Sequence, residues 1–283
     1  MRNVFIIGSV LVAALSGSTA AAQSGADDWD LTENAERRLI AASATFSTGV
    51  TIVLRCANGQ YDALIGGLPP VATGTSCRTV SLQFGEGPAS EGQWFVGTNP
   101  TAAISRLPAR LARELRDGGM VKVRVADPAA GSRVRYDLDL PASAVNIDRT
   151  LAACDRPTED VRDALVEDLG ENGLPGGIEW ARAPEPRYPS GRTFERGLVT
   201  LSCLNTPNGR LQDCVVESEY PLAGGFARSA LAGLERARIR VAGAPDAPVP
   251  ARMILFNVNF RMESESEAAW RGPETGTRLP RNR

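Results

Sequence analysis

Apolar residues fall at every second position in the best-patterned segments of this chain, and that period limits what it can fold into more than any other property of the sequence. Ile254, Phe256, Val258 and Phe260 alternate with Leu255, Asn257 and Asn259, and Val50, Ile52 and Leu54 alternate with Thr51, Val53 and Arg55. Successive side chains of a strand point to opposite faces, so this spacing predicts sheets with one strongly apolar side. Helical spacing is carried by shorter stretches. Leu107, Leu111 and Leu115 set one stripe on a helix ending at Gly118-Gly119, and Phe226, Ala230 and Leu234 set another after Gly224-Gly225, predicting a helix over 223–237. The expected class is α+β. With 283 residues and 43% hydrophobic content, the chain can fill a core in each of two small domains.

Histidine is absent, which excludes Ser-His-Asp and Cys-His machinery and His-bearing zinc sites. Acid and base work by paired carboxylates is the enzymatic route left open, and no cluster among the 33 Asp and Glu residues singles out a site. No catalytic residue, cofactor or metal ligand is therefore assigned, and the chain is read as a non-enzyme. The net charge of -2, with both signs interspersed, gives no concentrated basic surface, so nucleic acid is not an expected partner. Lys122 is the only lysine; an arginine-rich composition of this kind reads as genome bias rather than a guanidinium-specific function.

Arg2, an apolar run from Val4 to Leu15 and small residues from Ser16 to Ala22 predict a secretory signal peptide over 1–22, cleaved after Ala22. A retained anchor is the rival reading, but the apolar run is shorter than the roughly 20 residues that span a bilayer. The expected location is the periplasm, with no span left after cleavage. In an oxidising compartment Cys56, Cys77, Cys154, Cys203 and Cys214 are disulfide candidates, and an odd number leaves at least one thiol over.

Residues 23–155 are expected to form the β-rich domain. A helix is predicted over Leu31 to Ala42. A hairpin follows, with Asn58-Gly59 turning Val50–Arg55 back into Tyr61–Ile65. Further strands are expected at Thr79–Phe84, Gln93–Val96, Met120–Ala126 and Val134–Leu140, with a last helix over Ala142–Ala153. Trp94 and Phe95 are read as core packing, with a ligand face as the alternative. Three cysteines here allow three single bridges; the expectation is Cys56 with Cys77, both flanking the early sheet, with Cys154 left over. The run VTIVLRC, the return GQYDALI, the strand with Trp94, the Leu-rich helix and the terminal LAAC make residues 45–154 resemble periplasmic domains related to invasion-associated locus B proteins. That resemblance implies an exported β-rich module and transfers no catalytic residue.

Residues 156–183, rich in Pro, Gly and charge, read as a linker with a short helix at Val161–Leu169. Residues 184–262 read as strand, strand, helix, strand. Leu198–Leu204 and Leu211–Ser218 flank a turn at Thr206–Arg210, and turn length decides what Cys203 and Cys214 can do. A loop of two or four residues sets them face to face, whereas a loop of three sets them on opposite faces. Pro207 has no amide proton to donate beside a two-residue loop, so the four-residue form, Pro207 to Arg210, is expected, and with it a cross-strand bridge. Residues 263–283 are polar and expected to be disordered, with Trp270 an exposed residue or a docking anchor.

Tyr188-Pro189, Gly197 to Leu201, Asn208 to Leu211, Val215 to Ser218, Phe226 with Ala230-Leu231, and Val249 to Phe260 together resemble the carboxy-terminal domain of TonB-family energy transducers. The paired cysteines and ESEYPLAGGFARSAL are most similar to an alphaproteobacterial variant. The resemblance implies a ββαβ periplasmic domain that binds an extended peptide by adding it to a sheet edge, with Ile254, Phe256, Val258 and Phe260 on the candidate edge strand. The expected function is non-catalytic binding of an envelope protein or extended peptide. A structural or assembly component of the envelope is the alternative, and a carboxylate-based hydrolase a third.

Overall fold

A computed structural model describes residues 28–166, 173–190 and 194–261. The expected signal peptide, the end of the helix over 161–169 and the tail with Trp270 lie partly or wholly outside them. Among the described residues, fourteen strands and three α-helices make a mixed, mostly antiparallel architecture. In chain order they are β1 Asp30–Asn34, β2 Leu39–Thr45, β3 Thr51–Ala57, β4 Gln60–Gly66, β5 Cys77–Phe84, β6 Ser90–Phe95, β7 Ala103–Ile104, α1 Pro108–Leu115, β8 Gly119–Asp127, β9 Ser132–Leu140, α2 Val145–Ala153, β10 Ile178–Arg182, β11 Arg196–Asn205, β12 Leu211–Tyr220, α3 Phe226–Ala232, β13 Arg238–Val241 and β14 Met253–Arg261. A 3-10 turn at Val161–Leu165 stands in the expected linker helix.

Nine strands form one sheet in the order β1-β2-β3-β4-β7-β6-β5-β8-β9. In β3 every second residue is buried, as the apolar period requires, and Asn58 and Gly59 both take positive φ in the two-residue turn to β4. Helices α1 and α2 pack on β2, β3 and β4, enclosing a core that includes Leu54, Ile65, Leu115, Ile147 and Leu151. The helix expected over 31–42 is instead the β1–β2 hairpin. Arg38 takes φ 45 in its turn, and Leu39–Thr45 pairs residue for residue with Thr51–Ala57. Pairing along a whole strand outweighs the modest helix preference of Ala and Glu.

The pairing expected of Cys56 with Cys77 is also corrected: Cys56 is bonded to Cys154, and Cys77 is free. Strands β4, β7 and β6 lie between β3 and β5. At about 4.8 Å per strand, the two residues are separated along the sheet by on the order of 15–20 Å, beyond disulfide reach. Cys154 caps the end of α2, which packs directly on β3, and its Cα sits 5.6 Å from that of Cys56.

The second sheet has the order β12-β11-β14, and beside it β10 pairs with β13, two strands absent from the sequence reading. Val199, Leu201, Phe226, Ile254 and Phe256 share its core. Helix α3 is shorter than expected, ending at Gly233, where an added Cβ would press on the Pro186 backbone. Cys203 is bonded to Cys214, but through a different turn. Thr206 N donates to Arg210 O and Gly209 N to Thr206 O, closing a three-residue loop in which Pro207 takes a turn position needing no amide and Gly209 supplies φ 72. Leu204 then faces Gln212, which by register sets Cys203 against Asp213. A β-bulge at Asp213, φ 49, inserts the extra residue that returns Cys214 to the face of Cys203, with Cα atoms 4.1 Å apart.

Candidate functional site

The second sheet presents two edges of different character. Strand β12 is interrupted at Asp213 and again between Val216 and Ser218, and arginines from the preceding segment occupy its outer carbonyls. Arg156 Nη2 donates to Val216 O at 2.6 Å, and Arg162 Nη2 to Asp213 O at 3.0 Å. Its far end is held by a buried carboxylate: Glu219 Oε1 accepts from Phe226 N at 2.7 Å, and Glu219 Oε2 accepts from Gln60 Nε2, whose own Oε1 accepts from Ala223 N. Tyr220 hydroxyl accepts from Thr98 N at 3.2 Å. Bulges and covering side chains are the devices that keep an edge from pairing.

Strand β14 is uninterrupted. It pairs with β11 over nine consecutive residues without a bulge, and no strand pairs with its other side among the described residues. Ile254, Phe256, Val258 and Phe260 are all buried, Trp180 meeting Phe256 edge-on at 5.1 Å and Phe226 tilting against Phe260 at 4.9 Å. These four side chains anchor the strand against the core of the second sheet.

The opposite face of this sheet is polar and buried against the nine-stranded part. Thr200 Oγ1 donates to Asn257 Oδ1 at 2.9 Å, Ser218 Oγ donates to Arg106 O at 3.0 Å, and Arg106 Nε donates to Asn257 Oδ1 at 3.2 Å. Beside this seam lies a cavity of about 460 Å³ between β5, β6, α1 and Leu255 of β14. Trp94 is buried and lines it, so the residue read as core also bounds open space; Phe95 is buried outside the lining. Desolvation pushes the Arg106 guanidinium down to about 10. Burial likewise pushes the Cys77 thiol up, away from the thiolate form that reacts.

Among the described residues, no group of three or more His, Cys, Asp or Glu is placed to hold a metal ion, and no helix is long and apolar enough to cross a membrane. The two bridges fit an oxidising compartment. No protein-family model, curated protein or solved structure matches the chain.

Proposed function

We propose that the chain is a non-catalytic binding protein of the periplasm, whose second sheet takes up an extended segment of an envelope protein as an additional strand on β14. The observation that carries this reading is the asymmetry of the sheet: one edge bulged and covered, the other regular over nine residues. Strand addition draws affinity from main-chain hydrogen bonds, and it needs a straight edge held rigid from behind, which the four buried apolar side chains of β14 supply. The resemblance of residues 184–262 to TonB-type carboxy-terminal domains, and the exported two-domain organisation expected from the sequence, support the same reading.

Peptides selected on the full chain from a displayed library test it. Bound peptide is expected to slow amide exchange in Met253–Arg261 and leave Leu211–Tyr220 unchanged. N-methylation at alternate peptide amides should weaken binding about tenfold or more in one of the two phases, since each main-chain bond contributes on the order of 1 kcal/mol. Peptides that leave β14 exchange untouched, or that tolerate N-methylation in both phases, rule strand addition out.

A further inference from the structure

The cavity beside the seam carries an inference separate from strand addition. Four charged residues line it: Glu91, Arg106, Arg110 and Glu114. Three are neutralised in place, Arg110 by Glu114 at 3.1 Å and Glu91 by Arg133 at 3.2 Å. Arg106 is the exception. Among the described residues no carboxylate pairs with it; its Nε meets the neutral Asn257 oxygen, and its Nη2 is sealed from solvent without an acceptor. A guanidinium taken out of water without a counter-charge is costly, and with Nε engaged and Nη2 sealed it is Nη1 that remains to make a charge-assisted hydrogen bond to a carboxylate oxygen. The rest of the lining is apolar in large part, with Val80, Leu82, Trp94, Leu107, Leu111 and Leu255, while Thr79 and Gln93 supply hydroxyl and amide groups. The volume falls within the range of small-molecule pockets.

We propose that this cavity binds a carboxylate carried on a small apolar body, with Arg106 as the counter-charge. The carboxylate comes either from a free acid or from the end of a peptide chain, and the chemistry recognised is the same.

Calorimetric titration of the full chain with 4-phenylbutyrate is expected to give a Kd below about 1 mM, and the matching amide to bind at least about tenfold more weakly. Arg106→Met should abolish the preference for the acid. Gly92→Phe, at the cavity wall where an added Cβ meets nothing nearer than Trp94 Nε1 at 4.0 Å, should block binding while leaving Arg106 in place. A tetrapeptide with a free carboxyl terminus, run beside its amide, separates the sources: binding by the peptide identifies a chain end, binding by phenylbutyrate alone a free acid. Acid and amide binding equally, Arg106→Met binding the acid within twofold of the parent, or no heat from the acid at millimolar concentration would each overturn the assignment.

Discussion

Arg106 owes its character to neighbours that come from three separate places in the chain: Asn257 and Leu255 from β14, Ser218 from β12 and the cavity wall from β5 and β6. Its sequence context, Ser105-Arg106-Leu107-Pro108, looks like any helix lead-in, which is why it could not be picked out from the other arginines beforehand. Removing an uncompensated buried charge commonly stabilises a fold, so Arg106→Met should raise the unfolding free energy by about 1 kcal/mol or more, read from urea midpoints. Tyr61 gives a second prediction at this scale. Its hydroxyl lies 2.8 Å from Thr150 Oγ1, whose own proton goes to Ile147 O, so Tyr61 is the donor. Burial raises the Tyr61 phenol above its ordinary value near 10. The unfolded chain therefore ionises first, and the stability that Tyr61 contributes is complete below about pH 10 and drains away as pH climbs toward the folded value. Arg106 has the opposite sign, since its folded form sheds a proton first and gains stability above about 10. Urea midpoints from about pH 9 to 11 should fall less steeply for Tyr61→Phe than for the parent, and more steeply for Arg106→Met.

The elements whose apolar residues recur at every second position, β3, β4 and β14, were legible in the sequence to within a few residues, because the face turned to the apolar core imposes its pattern directly. Residues 31–42 were not, since Ala and Glu favour a helix until a partner strand is available, and that partner comes later in the chain. Strands β10 and β13 escaped notice because each is short, lies among Pro, Gly and charge, and acquires its identity from the other. The bridge between Cys203 and Cys214 was legible while its cause was not. A parity argument assumes an unbroken ladder, and nothing about Asp213 distinguishes it in sequence from an ordinary polar strand residue. Deleting Asp213 makes this testable. Its loss brings Cys214 directly after Gln212 and so opposite Cys203 in an unbroken ladder, so the bridge should form as in the parent, and thiol titration of the denatured protein should still find Cys77 alone.

Across the whole molecule, two apolar cores meet along a seam of hydroxyl, amide and guanidinium groups instead of fusing into one. The core of the nine-stranded part is closed by a bridge spanning 98 residues, the other by one spanning 11. On chain-entropy grounds the longer closure contributes roughly 4–5 kcal/mol and the shorter roughly 3. Cys154→Ala should accordingly lower the melting temperature by about 10 °C, more than Cys214→Ala does, as followed by calorimetry. That long closure also orders events in time. A chain made from its amino end presents Cys56 and then Cys77 well before Cys154 exists, so the first thiol to meet Cys56 is the wrong one. Oxidation during synthesis then runs into a kinetic trap that escapes through shuffling, and native pairing would depend on a disulfide isomerase. Cys77→Ser removes the decoy, and its oxidative refolding should reach the native bridges faster than the parent's and without needing that catalyst.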